Sequence, residues 1–230
     1  MTTVTTSEDA ARATDESRSV VVLDAGVGNL GNLVRALRHV GAEPELTTDP
    51  DTIAAGDCLV LPGVGAFRPP RETLRGPMEE ALRSALDRGA WLLGICVGYQ
   101  LLFEGSTEFG DTDGLGLLPG RVEALPGEVS LPQIGWNHLV DRREHPLLAG
   151  LPERPSFYFV HSYAPLAGDG SGDPDDSWLA QAVHGAPFVA VAGQARVFGT
   201  QFHPEKSGRN GLRLLANYLD MAHGRAHGAA

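Results

Sequence analysis

The chain has 230 residues, 42% hydrophobic and 20% charged, which suffices for one large α/β domain or at most two small ones. A formal net charge of −11 sets the general field against phosphates, which argues against nucleic acid or an anionic membrane as partner. Two cysteines are too few for a disulfide framework and no apolar run approaches the ~20 residues of a spanning helix, so a reduced, cytoplasmic protein is expected.

Residues 1–18 are polar, lack an apolar h-region and have too little apolar surface to offset their ordering entropy; they are expected to be a disordered tail, not a secretory signal. "SVVVLDAG" (19–26) is an uninterrupted apolar run, as in a strand buried on both faces. In "NLVRALRHVGA" (32–42), Leu33, Leu37 and Val40 keep helical spacing and Gly41 ends the run. "CLVLPGVG" (58–65) reads as a strand with a glycine-rich exit. "PMEEALRSALDRGA" (77–90) reads as a helix opened by Pro77, with Glu79 and Glu80 near its positive end and Gly89 at its close. "WLLGI" (91–95) is a strand and "GYQLLFEG" (98–105) a helix. The alternation predicts an α/β fold with a mostly parallel sheet flanked by helices on both faces.

Residues 119–200 change character. "GRVEAL", "SFYFVHSYAP", "WLAQAVH" and "FVAVAGQARVFGTQFHPE" are short strands with turns, which predict antiparallel additions at one edge or end of the sheet. "AGDGSGDPDDS" (167–177) reads as a polar, flexible loop between two of them, and "NGLRLLANYLDMAHG" as a closing helix. One domain over 19–222 accounts for the pattern, with a flexible tail over 223–230.

The corner "GICVG" (94–98) places Cys96 where a strand turns sharply into a helix, as a nucleophile elbow does. Gly94 and Gly98 leave room for backbone and substrate. The helix N-terminus favours thiolate over thiol, and the N–H of Val97 points where an oxyanion would form. Cys58, inside a buried strand and without glycine neighbours, reads as structural.

A thiolate nucleophile needs a base, and the base an orienting group. Of eight histidines, His39, His223 and His227 read as solvated, and His138, His145 and His184 have no special neighbours. His161 ends an apolar strand, as a core-edge histidine or a substrate contact. In "VFGTQFHPEKS" a strand runs into His203, then Pro204 and Glu205. Proline stiffens the turn, so a carboxylate two positions on can hold the imidazole in one tautomer. A surface ion pair with Lys206 is the plain alternative for Glu205.

"GVGNLG" (26–31) fits the dinucleotide fingerprint, and Glu45 and Asp49 lie about 20 residues on, where a ribose carboxylate is sought. A nicotinamide-dependent oxidoreductase is therefore the alternative from a different class. It leaves the cysteine and histidine elements unexplained.

Together "GICVGYQLLFEG", "QFHPEKS" and "LPGVGAF" resemble the class I (triad) glutamine amidotransferases, over nearly the whole chain from Val20 to Leu219. "GNLGNLVRAL", "PGVGAF", "QIGWN", "YFVHSY" and Lys206 after HPE resemble the branch of that family that supplies imidazole glycerol phosphate synthase with ammonia. The resemblance implies Cys96 as nucleophile, His203 as base and acid, and Glu205 as its orienter. It implies an oxyanion hole from Val97 with Val64 and Gly65, where a flipping peptide would gate activity. Gly65, Gln100, Ser162 and Tyr163 match the positions that hold glutamine. The implied partner is a (β/α)8-barrel cyclase subunit in a heterodimer, with Asn29, Asn32, Trp136, Tyr158 and Lys206 near the interface, although Trp136 also suits a core. Neither cofactor nor metal is implied. Service to another pathway is the alternative within the family. Ala25, Tyr99 and Gln133 depart from the family pattern.

Overall fold

The computed structural model describes residues 18–26, 28–167 and 177–224. The expected tails (1–18 and 223–230) and the 167–177 loop lie almost wholly outside the described residues. In chain order come β1 (Arg18–Leu23), α1 (Leu30–His39), β2 (Ala42–Thr47), α2 (Pro50–Ala55), β3 (Cys58–Gly63), α3 (Arg68–Leu74), α4 (Pro77–Asp87) and β4 (Trp91–Cys96). Then follow α5 (Val97–Gln100), β5 (Gly105–Ser106), β6 (Thr112–Asp113), β7 (Arg121–Ala124), β8 (Gln133–His138), β9 (Ser156–His161) and β10 (Tyr163–Pro165). The chain closes with β11 (Trp178–His184), β12 (Ala186–Gln194), β13 (Val197–Thr200) and α6 (Gly208–Ala222).

The main sheet has seven strands in the order β11-β12-β13-β4-β3-β1-β2. β2, β1, β3, β4 and β13 run parallel, while β12 and β11 extend one edge antiparallel, as the strand patterns predict. From β1 the chain steps outward to β2, then returns past β1 to β3 and β4. Right-handed crossovers therefore put α1 on one face and α2 and α4 on the other. Accordingly α1 packs on α6, and α2 packs on α4. Two smaller sheets, β10-β7-β5-β6 and the β8-β9 ribbon, stand apart from this layer.

Burial on both faces explains the apolar runs. All of β3 is buried, as are Val20 to Leu23 of β1 and Leu92 to Cys96 of β4. Each fully buried leucine, such as Leu23, Leu59 or Leu93, contributes on the order of 2 kcal/mol relative to exposure.

The sequence reading passed over α2, α3, β5 and β6, and three further differences have a plain physical reason. β2 was invisible because "AEPELT" is polar and carries Pro44; it is an edge strand, where proline costs no ladder bond. "QIGWNH" forms β8 although its glycine and polar residues hide the alternation. The helix expected over 98–105 is one turn, because the carbonyls of Leu101, Leu102 and Phe103 accept N–H groups from Leu115, Gly116, Leu117 and Leu118 instead. The captured segment is pinned in turn: buried Arg71 donates to the Asp113 carbonyl at 3.0 Å, and Arg83 to that of Leu115 at 2.8 Å.

Candidate active site

β4 passes into α5 at Cys96, whose φ is 54° and ψ −111°. Such backbone is rare away from glycine and persists where surrounding structure over-determines it. At Gly98 an added Cβ would lie 1.8 Å from the Leu61 carbonyl oxygen, and at Gly94 2.7 Å from Tyr99 Cα. The flanking glycines thus let α5 lie directly on β3 and β4, and the room they make is filled by backbone rather than left for substrate. With one turn, α5 aligns few peptide dipoles behind Cys96, so a charged partner must supply most of the support for a thiolate.

That partner arrives from β13. His203, 1% exposed, follows the strand end, its N–H bound to the Tyr158 carbonyl at 2.9 Å. Its carbonyl accepts the Ser207 hydroxyl at 2.6 Å, so the turn is held from both sides. His203 Nδ1 sits 2.8 Å from Glu205 Oε1, and both side chains are buried. A carboxylate accepts only, so Nδ1 carries the proton and Nε2 faces away from Glu205. Nε2 is buried and lacks a well-formed hydrogen bond. Burial disfavours the imidazolium, but Cys96 and then Glu205, through hydrogen bonding and charge, outweigh it and raise His203 to about 10. Two acidic groups facing one ring account for the direction.

Cys96 and His203 share a pocket of about 570 Å³ with Val64, Gly65 and Ser162. Asn29 and Lys206 stand on its wall with Gly28 of the glycine-rich turn. Apart from Ser162, which follows β9, these residues come from the carboxyl ends of β1, β3, β4 and β13, and the direction of strand addition reverses between β1 and β3. A crevice at such a switch point is where open α/β sheets bind ligands.

Other expected residues lie elsewhere. Val97 is buried at the start of α5, where a first-turn N–H has no intrahelical acceptor. Gln100 lies behind the nucleophile, its Nε2 donating to the Tyr163 carbonyl at 2.8 Å and to Gln201 Oε1 at 3.1 Å. Trp136 is 60% exposed, not core, and meets Tyr158 edge-on at 6.3 Å, while Lys206 Nζ stands 5.7 Å over the Tyr158 ring. Asn32 bonds Arg35 on the α1 surface.

His161 is a buried wall of the pocket, between the Tyr163 carbonyl and the Gln133 side-chain amide, each 3.0 Å away. Burial first, then the charges of His184 and His203, push it down to about 4, so it stays neutral. Its single N–H, on Nδ1, goes to the Tyr163 carbonyl, so Nε2 accepts and the Gln133 amide turns its NH₂ toward it. Tyr99 is fully buried, its hydroxyl donating to the Val189 carbonyl at 3.1 Å.

Sequence reading missed Glu108 and Gln201. Glu108 lines the pocket and accepts the Phe67 N–H at 2.8 Å, from a loop with no periodic signal. Gln201 follows Thr200, which pairs with Ile95, so strand register sets it beside Cys96. The dinucleotide alternative fails on its carboxylates: Asp49 caps α2 through Thr52, and Glu45 is exposed on β2. Among the described residues no group of His, Cys, Asp and Glu could hold a metal ion, and no helix is long and apolar enough to cross a membrane.

The family model "Glutamine amidotransferase class-I" matches residues 21–221. The imidazole glycerol phosphate synthase subunit HisH of Symbiobacterium thermophilum is 46% identical over 200 residues, covering 86% of this chain and 92% of the relative. That of Salinibacter ruber is 44% identical over 205 residues, with the same coverage of 86% and 92%. A solved glutamine amidotransferase superposes with a TM-score of 0.66 at 22% identity, covering 89% of this chain and 98% of its own, a likeness of fold.

Proposed function

The chain belongs to the class I glutamine amidotransferase family, and from that premise we propose that it is the glutaminase subunit of an imidazole glycerol phosphate synthase, acting in histidine biosynthesis. It hydrolyses glutamine to glutamate and ammonia and passes the ammonia to a cyclase subunit. The observation that carries the chemistry is Cys96 at a strained strand end, sharing one pocket with a His203 that Glu205 orients.

Cys96 Sγ attacks the side-chain amide carbon of glutamine. The developing oxyanion takes the N–H of Val97 and one from the Val64–Gly65 turn. His203 Nε2 gives its proton to the departing nitrogen, the C–N bond breaks, and ammonia leaves a thioester on Cys96. The neutral ring then accepts a proton from water as the oxygen attacks the thioester carbon, and returns it to sulfur as glutamate departs. Glu205 holds the Nδ1–H throughout and steadies the imidazolium. Ser162 and backbone at Gly65 suit the α-carboxylate of the substrate, and Glu108 across the pocket suits its ammonium. Gln100 and Tyr163 support this pocket from behind.

Asn29 and Lys206 line the pocket, Lys206 and Trp136 both meet Tyr158, and these residues with Asn32 would face the partner. Exposed Trp136 and Ile134, at 60% and 64%, form an apolar patch suited to a docked partner. The test is glutamate release by wild type and Cys96→Ala, alone and with the barrel cyclase and its nucleotide. Weak release alone, large stimulation by the liganded partner and none in Cys96→Ala support the reading. Full activity without partner, or none under any condition, overturns it.

A further inference from the structure

The mechanism leaves buried Gln201 unused and gives its neighbour Gln100 only a supporting place. Gln100 and Gln201 are 3% and 0% exposed and lie behind Cys96. An amide has a donating and an accepting end, and here the donor chain is settled from one backbone group. The Tyr163 carbonyl can only accept, so the group 2.8 Å from it is the Gln100 NH₂. The same Nε2 donates to Gln201 at 3.1 Å, so Gln201 turns Oε1 toward Gln100. Gln201 Nε2 is thereby aimed at Cys96 Sγ, 3.9 Å away, a long contact of the kind a sulfur acceptor makes. The Val160 carbonyl also lies 4.0 Å from the sulfur, and its partial negative charge opposes a thiolate.

We propose that Gln201 is a positioning residue for Cys96: its amide N–H, oriented by Gln100 and the Tyr163 carbonyl, holds the sulfur and favours the thiolate against the Val160 carbonyl. Being neutral, it does this without competing with Cys96 for the His203 proton. The role rests on the proposed nucleophile. It adds to the triad a donor on the side of the sulfur that faces the protein interior.

The test is the pH dependence of iodoacetamide alkylation of the full chain, with Cys96→Ser supplying the background from Cys58. Gln201→Met keeps the length and removes the donor; the alkylation midpoint rises by about one pH unit and the rate at pH well below the midpoint falls roughly tenfold, as for loss of a hydrogen bond to a charged acceptor. Gln201→Glu, which sets an acceptor against sulfur, shifts it further in the same direction. Gln100→Met leaves Gln201 in place but free to turn, shifts it less, and serves if the Gln201 variants do not fold. With the partner present, kcat falls and KM for glutamine stays near wild type. A folded Gln201→Met with the wild-type midpoint overturns the role, as does a folded Gln100→Met with that midpoint if the Gln201 variants fail to fold. Absence of glutamate release by the wild type would sink the glutaminase reading alone, since the midpoints still decide Gln201.

Discussion

The two cysteines sit on neighbouring strands at opposite ends of the sheet, and their fates differ completely. Cys58 opens β3 and pairs in register with Trp91; Cys96 closes β4 opposite Gly63. Both are buried, at 2% and 3% exposure. Around Cys58 the main effect is desolvation, which pushes its thiol up to about 12. Cys96 has equal burial but a bent backbone, an amide donor and a histidine. In a parallel sheet the carboxyl ends all point one way, so the strand-to-helix loops of several strands converge at that edge, where such sheets bind ligands. Burial alone makes a cysteine inert; position at the converging end makes it chemical.

Removing each thiol breaks the comparison most directly. Cys96→Ala should lower glutamate release by roughly 10⁴-fold or more, measured with the liganded partner. Next is Glu205→Gln, which keeps the shape and removes the charge that orients His203. A fall of about 10³-fold in kcat is expected, with the alkaline limb of the pH profile moving to lower pH.

Gly98→Ala attacks the packing that bends the Cys96 backbone. Its Cβ would meet the Leu61 carbonyl, so a loss of about 3 kcal/mol or more in denaturant unfolding is expected, with activity lost even where the chain still folds. The pH dependence of stability separates His203 from His161. His203 is raised when folded, to about 10, so its contribution is full below the unfolded value near 6.5 and is lost as pH rises through about 10. His161 is depressed to about 4, so its contribution is present above about 6.5 and is lost as pH falls toward 4. Thermal unfolding of His203→Asn should lack the alkaline loss, and that of His161→Asn the acid loss. The smallest effect belongs to the inert thiol: Cys58→Ala should cost about 1 kcal/mol of stability and leave glutamate release within twofold.

Legibility followed the same division. Strands β1, β3 and β4 were readable because full burial writes itself as an unbroken apolar run. The edge strand β2 was not, because an exposed edge tolerates proline and glutamate. Cys96, His203 and Glu205 were legible from local chemistry: glycines at a corner, and proline stiffening a turn. Glu108 was silent because only the capture of carbonyls 101–103 brings its loop to the pocket. Gln100 turns its amide N–H to Gln201 and the Tyr163 carbonyl, partners that no local pattern in the sequence announces.

By itself the sequence determined the α/β alternation, the cysteine corner and the His-Pro-Glu turn, because each depends on residues close in the chain. The tertiary structure decided which cysteine meets a histidine and that Gln201 stands beside Cys96. Those outcomes depend on strand order and register, which bring together residues 105 apart in sequence, and no local pattern encodes them.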